Sequence, residues 1–225
     1  MLRRNDTLLF IGDSITHAHR RPEELHDCYA LGCGYVKLLA ARLNADRPEL
    51  GLRFINRGEC GHRVDHLAHR WQRDCLDLRP HVISILVGIN DAHADSPHAG
   101  DAAAYERLYA ELLERTRAAL PDVRLVLLEP FGLKVPPPPA PAIAADETQL
   151  GNVRLLQPVV HGLAERFRAR FVRLQCRFDE ACGGAPAEHW ALDGVHPSAA
   201  GHELIARAWI DAVLGSGSGE PGVRR

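Results

Sequence analysis

Four short segments of the 225-residue chain carry residue types that could act on one another chemically. Gly12-Asp13-Ser14-Ile15-Thr16 follows an apolar run and presents a serine. A serine hydroxyl becomes a nucleophile only beside a base. Asp193-Gly194-Val195-His196 offers a base near the other end of the chain. A carboxylate three residues before a histidine can bond the imidazole from the same turn, fix its tautomer and stabilise its cation. Gly88-Ile89-Asn90-Asp91 follows the strongest apolar run. An asparagine amide in that place can donate to a developing oxyanion. Asn56-Arg57-Gly58-Glu59-Cys60-Gly61 follows another run, and glycine lets a backbone N–H approach a ligand closely. Nucleophile, base, orienter and oxyanion donors together are the set that acyl transfer requires.

Each segment also has a plainer reading. The Ser14 segment could be a structural or phosphate-binding turn. The segment 193–196 could cap a helix, with Ser198 as N-cap of the last one. Asn90 and Asp91 suit an Asx turn, and 56–61 suits a β-to-α loop. The nucleophile elbow G-x-S-x-G is absent, because Thr16 stands at its second glycine.

The elements around these segments restrict the choice. Residues 8–11, 52–55, 82–87 and 125–128 are short apolar runs without alternation, with a weaker one at 171–174. Such runs suit parallel strands covered on both faces. Helical periodicity lies between them, over 35–43, through Leu67, Trp71, Cys75 and Leu78, over 105–113 and over 204–212. This alternation predicts an α/β fold, a doubly wound, flavodoxin-like parallel sheet of about five strands with helices on both faces. Residues 1–214 form one expected domain, and 215–225, rich in Gly and Ser, an expected disordered tail. The proline-rich stretch 135–144 fits no element and reads as a loop, either plain surface or a wall of the site. All four chemical segments then fall along one edge of the sheet.

Composition excludes several function classes. Lys plus Arg number 27 against 29 Asp plus Glu, so the basic excess of a nucleic-acid-binding domain is missing. No run approaches the roughly 20 apolar residues of a membrane span. The first apolar run is shorter than a secretory signal requires, so the expected location is cytoplasmic. The six cysteines include no C-x-x-C pair and read as free thiols, with Cys75 as core filler. Among thirteen histidines, His62, His66 and His69 have a metal-like spacing. Gly61 before them and Arg63 and Arg70 among them favour a solvated helix face, and no metal or cofactor is expected. His17 and His19, just after the serine, either line a pocket or face solvent.

In these four blocks, GDSIT, NRGECG, GIND and DGVH in order, the chain resembles the SGNH (GDSL) hydrolase superfamily. The resemblance implies Ser14 as nucleophile and backbone oxyanion donor. It implies Gly61 as a second backbone donor and Asn90 as the side-chain donor. It implies His196 as base and Asp193 as its orienter. LLFIGDSIT, LGCGYV, ARLN, NRGECGHRV, HRWQRDCLDLRPHVISILVGIND and GVHPSAAGHELIARAW are similar to cytoplasmic acetylxylan esterases. Those are metal-independent homo-oligomers that deacetylate xylo-oligosaccharides. The chain departs from its relatives at His17, where Asp or a small residue is usual. Glu59, Cys60 and His62 replace the common Ile, Ser and Asn, and Ala92 replaces a bulkier residue. His17 and Ala92 among these departures, with Asp13 beside the serine, are candidate substrate-binding residues.

The leading expectation is a serine esterase for short acyl groups, acetyl above all, on carbohydrates. Its partner is a small ester or acetylated oligosaccharide, with no nucleic acid and no membrane, in a homo-oligomer. A lysophospholipase or thioesterase is the alternative within the enzymes. It needs a long apolar channel, which six Phe and one Met furnish poorly. A non-catalytic flavodoxin-like binding protein is the alternative outside them. Ser14 and Thr16 would then cradle a phosphate, leaving Asp193 and His196 unexplained.

Overall fold

The apolar runs become the strands of one parallel sheet. The computed structural model describes residues 2–21, 23, 27–137 and 144–215. The chain runs β1 (Thr7–Gly12), α1 (Ser14–His17), α2 (Asp27–Ala30), α3 (Tyr35–Asp46), β2 (Arg53–Gly58) and α4 (Val64–Asp74). It continues through β3 (Val82–Leu86), α5 (Ala102–Ala119), β4 (Arg124–Leu128), α6 (Glu147–Arg166) and β5 (Arg170–Val172). It closes with α7 (Gln175–Cys182), α8 (Ala187–Trp190) and α9 (Ala199–Leu214).

The five strands lie in the order β2-β1-β3-β4-β5 and all pair in parallel. This is the flavodoxin-like order, with its reversal between β1 and β3. Ligands on such sheets bind beyond the strand ends at that reversal. The strands leading to Ser14 and Asn90 are the two that flank it. In register, Gly12 stands opposite Gly58 on one side and Leu86 on the other. A Cβ on Gly12 would come within 2.0 Å of Leu86 O, so only glycine lets the two strand ends meet this closely.

Packing on the two faces is set by two buried indoles. Trp209 of α9 donates to Ser84 Oγ of β3 at 3.0 Å and lies against Phe10. Trp71 of α4 donates to Thr116 Oγ1 of α5 at 2.9 Å. Each buried ring thus contributes apolar area without stranding its N–H. Helix α3 packs on α9, whereas α4, α5 and α6 pack successively on one another.

Three differences from the sequence expectation have local causes. The period through Leu67, Trp71 and Leu78 breaks at Cys75, whose φ of −132° ends α4 before a short 3-10 turn, Leu76–Leu78. Strand β5 is only three residues long, as an edge strand with one neighbour can be. Helix α6 was not expected at all. Its stripe of Leu150, Val153, Leu156, Val160 and Leu163 is buried, but Gly151, Pro158 and Gly162 interrupt it in sequence. Packing against β4 and β5 overrides the local cost of the proline.

No helix among the described residues is long and apolar enough to cross a membrane. Cys33, Cys60, Cys75, Cys176 and Cys182 are free thiols, and Cys75 is buried. Of the proline-rich stretch, residues 138–143 lie outside the described residues, as do residues 216–225 of the expected tail.

Candidate active site

The turn after β1 places the serine. Asp13 caps α1, its Oδ1 accepting from Ile15 N at 2.9 Å. This makes Ser14 the first helical residue, at the carboxyl edge of the sheet. Thr16 on the same turn is buried and shares a hydrogen bond of 3.0 Å with Tyr35 Oη. Asn56 holds the turn from β2. Its Nδ2 donates to Thr16 O at 2.7 Å and Leu31 O at 2.9 Å, and its Oδ1 accepts from Gly58 N at 2.8 Å.

The late loop meets the serine across 182 positions of sequence, with Ser14 Oγ 2.9 Å from His196 Nε2. His196 Nδ1 lies 2.7 Å from Asp193 Oδ2. The other carboxylate oxygen accepts from the backbone N–H groups of Val195, at 2.9 Å, and His196, at 2.7 Å. Burial alone would raise the Asp193 pKa, but the bonds from the His196 ring and these two amides hold it at about 2. The same bond to Asp193 outweighs burial at His196 and raises its pKa above 6.5. Gly194 sits at φ +77°, and a Cβ there would lie 2.2 Å from Leu133 O. The loop is held by Leu133 N on Gly194 O at 2.9 Å and by Ala145 N on Asp193 O at 3.0 Å. The two flanks of the proline-rich stretch therefore clamp the loop that carries the base.

Two further donors face the same edge. Gly61 has φ +74° with open space around it, and its N–H makes no hydrogen bond among the described residues. Asn90 Nδ2 donates one hydrogen to His62 O at 3.1 Å, leaving the second unspent.

Sequence reasoning missed the buried arginine that binds these pieces together. Arg70 Nη2 donates to Gly12 O at 3.2 Å and Nη1 to Arg57 O at 2.8 Å. Its Nε donates to His62 Nδ1 at 3.1 Å, and Asp74 accepts from Nη1 at 3.1 Å. The signal was the Arg70–Asp74 spacing of four on the apolar face of α4, beside Leu67 and Trp71. Arg20, also buried, donates to Gly58 O at 2.7 Å and pairs with Glu59.

The candidate substrate-binding group needs correction. Asp13 is 1% exposed and serves as a helix cap, so its carboxylate cannot touch a substrate. Ala92 is 0% exposed, with its carbonyl bonded by Asn152 at 3.0 Å. His17 is half-buried, and burial, helped by Arg20, lowers its pKa. The phosphate cradle also loses Thr16, which is 0% exposed. His62 precedes α4, and its ring lies 5.1 Å from that of His66, whose Nδ1 accepts from Arg63 N. Among the described residues no three His, Cys, Asp or Glu side chains gather as a metal would need.

Residues 10–204 match the model of the GDSL-like lipase/acylhydrolase family. The chain belongs to that family. This GDSL-like hydrolase is 36% identical over 214 residues to an acetylxylan esterase of Geobacillus stearothermophilus, covering 91% of this chain and 92% of that one. The crystal structure of Axe2, an acetylxylan esterase from the same organism, superposes with a TM-score of 0.81 at 32% identity. That match covers 94% of this chain and 95% of Axe2. An α/β hydrolase from the metagenome of Lake Arreo is similar at a TM-score of 0.82 and 33% identity, covering 96% of this chain and 98% of that one. The GDSL-like hydrolase is accordingly a carboxylic ester hydrolase, and its parallel α/β sheet is the one its relatives share.

Proposed function

We propose that this chain is a serine esterase that removes short acyl groups, acetyl foremost, from carbohydrates such as acetylated xylo-oligosaccharides. The observation that carries the mechanism is the unbroken chain Ser14 Oγ to His196 Nε2 at 2.9 Å and His196 Nδ1 to Asp193 Oδ2 at 2.7 Å. The acetylated sugar is supported by the likeness to the acetylxylan esterase along most of both chains.

In the proposed reaction His196 takes the Ser14 proton as Oγ attacks the ester carbonyl. Asp193 stabilises the resulting imidazolium. The Ser14 and Gly61 N–H groups and the Asn90 amide donate to the carbonyl oxygen as it becomes negative. His196 then protonates the departing alcohol. Water, deprotonated by the same histidine, releases the acid and restores Ser14. The proposal extends to one domain over 1–214, acting as a cytoplasmic homo-oligomer as the resemblance implies.

Ser14→Ala tests the mechanism. The variant keeps its circular-dichroism spectrum and loses p-nitrophenyl acetate hydrolysis; undiminished hydrolysis would refute the assignment. Acetylated xylosides, glucosides and xylo-oligosaccharides, set against esters of increasing acyl length, test the substrate.

A further inference from the structure

His62 carries a donor that the acyl-transfer steps leave unused. It follows Gly61 directly, and its carbonyl accepts from Asn90 Nδ2 at 3.1 Å. The residue is thus joined to two of the three proposed oxyanion donors, one by a peptide bond and one by a hydrogen bond.

The ring is fixed as firmly as the backbone. Its Nδ1 lies 3.1 Å from Arg70 Nε. An arginine nitrogen only donates, so Nδ1 must be the accepting, unprotonated nitrogen. The neutral ring then carries its hydrogen on Nε2. Arg70 has little freedom to turn away. It is 8% exposed, and Gly12 O, Arg57 O and Asp74 occupy its other nitrogens. Burial, with the Arg70 charge beside it, keeps the His62 pKa below the usual histidine value. Nε2–H makes no hydrogen bond among the described residues, on a ring that is only half-buried and packs against the His66 ring with centroids 5.1 Å apart.

A neutral Nε2–H tautomer cannot take the Ser14 proton, since one nitrogen is protonated and the other is occupied by Arg70. It can donate, in a direction that Arg70 fixes, from a residue joined to two of the oxyanion donors. We infer that His62 is a specificity-determining residue whose Nε2–H donates to a hydroxyl or ring oxygen next to the acylated position of a sugar ester. The inference rests on the carbohydrate esterase reading above.

Two substitutions separate recognition from support of Arg70. His62→Asn keeps an amide oxygen near the Nδ1 position for Arg70 but has no donor at the Nε2 position. His62→Gln extends an amide donor towards that position. For each, kcat/KM is measured on an acetylated methyl xyloside and on p-nitrophenyl acetate, which has no hydroxyl beside its ester. The ratio of the two falls about tenfold in His62→Asn, the usual worth of one hydrogen bond, and recovers at least in part in His62→Gln. A ratio unchanged in His62→Asn, with any loss shared equally by both substrates, would overturn the inference and leave His62 as a prop for Arg70. A parent enzyme that cleaves p-nitrophenyl acetate but not the xyloside overturns the carbohydrate reading itself, and is recognised before any variant is made.

Discussion

Asp193 grips His196 twice, with Oδ2 2.7 Å from the ring Nδ1 and Oδ1 2.7 Å from the backbone nitrogen of the same residue. The tautomer and the position of the imidazole are therefore set by one carboxylate. Asp193→Asn keeps the shape but offers a donor where an acceptor is needed, which forces the proton onto the nitrogen that faces Ser14. We expect kcat/KM on p-nitrophenyl acetate to fall by about 10⁴-fold. The pH profile gives a second reading. Activity needs neutral His196, whose pKa is raised above 6.5 chiefly by the Asp193 bond. The acid limb of the parent enzyme thus lies above 6.5, and it moves to lower pH in the variant.

Asn90→Ala removes the only proposed oxyanion donor that is a side chain. The expected loss is about 10²–10³-fold in kcat, with KM changing far less, because the donor acts on charge that develops in the transition state. Equal changes in KM and kcat/KM would instead place Asn90 in substrate binding.

Asp91 supplies a stability prediction with a definite sign. Its Oδ1 accepts from Val64 N at 3.0 Å, but its buried Oδ2 has no partner among the described residues. Burial raises its pKa from 3.8 to about 7. With the folded value above the unfolded one, its contribution is most favourable below 3.8, declines as pH rises, and levels off above 7. Asp91→Asn keeps the acceptor for Val64 and cannot ionise. It should raise Tm relative to the parent at pH 8 and much less at pH 4. The ceiling is roughly 4 kcal/mol, part of which the unpartnered amide takes back. A Tm difference independent of pH would show that Asp91 does not titrate in this range.

Gly194→Ala tests the clamp on the base loop. The φ of +77° disfavours any Cβ, and this one would lie 2.2 Å from Leu133 O. We expect a loss above about 2 kcal/mol in urea unfolding, together with lower kcat, since the same turn holds Asp193 and His196. An unchanged midpoint would mean that the contact with Leu133 is dispensable.

Legibility in the sequence followed range. Asp193 and His196 are three residues apart, and a contact of that range is written into local spacing. Strands β1 and β3 were visible because buried parallel strands are continuously apolar, and Ser14 and Asn90 were found as the residues that follow them. Helix α6 was hidden because its buried stripe is read only once Pro158 and the two glycines are seen packed on the sheet. Arg70 looked like one of several cations on a solvated helix. Its role appears only when Gly12 O and Arg57 O, at separations of 58 and 13 residues, turn towards it. Burial removes Asp13 and Ala92 from the candidate substrate-binding residues, because a motif shows which residues adjoin the site but not which way each side chain packs.

By itself the sequence determined the α/β class, the four segments able to do acyl chemistry and the pairing of Asp193 with His196. These rest on apolar runs, turn residues and spacings shorter than a helical turn. Tertiary structure alone decided that Ser14 Oγ lies 2.9 Å from His196 Nε2, that Leu133 and Ala145 clamp the base loop, and that Arg70 fixes the His62 ring. The physical reason is that each of these is a contact between distant elements. Only the strand register, the reversal between β1 and β3 and the packing of α4 and α9 on the sheet bring them within hydrogen-bonding distance.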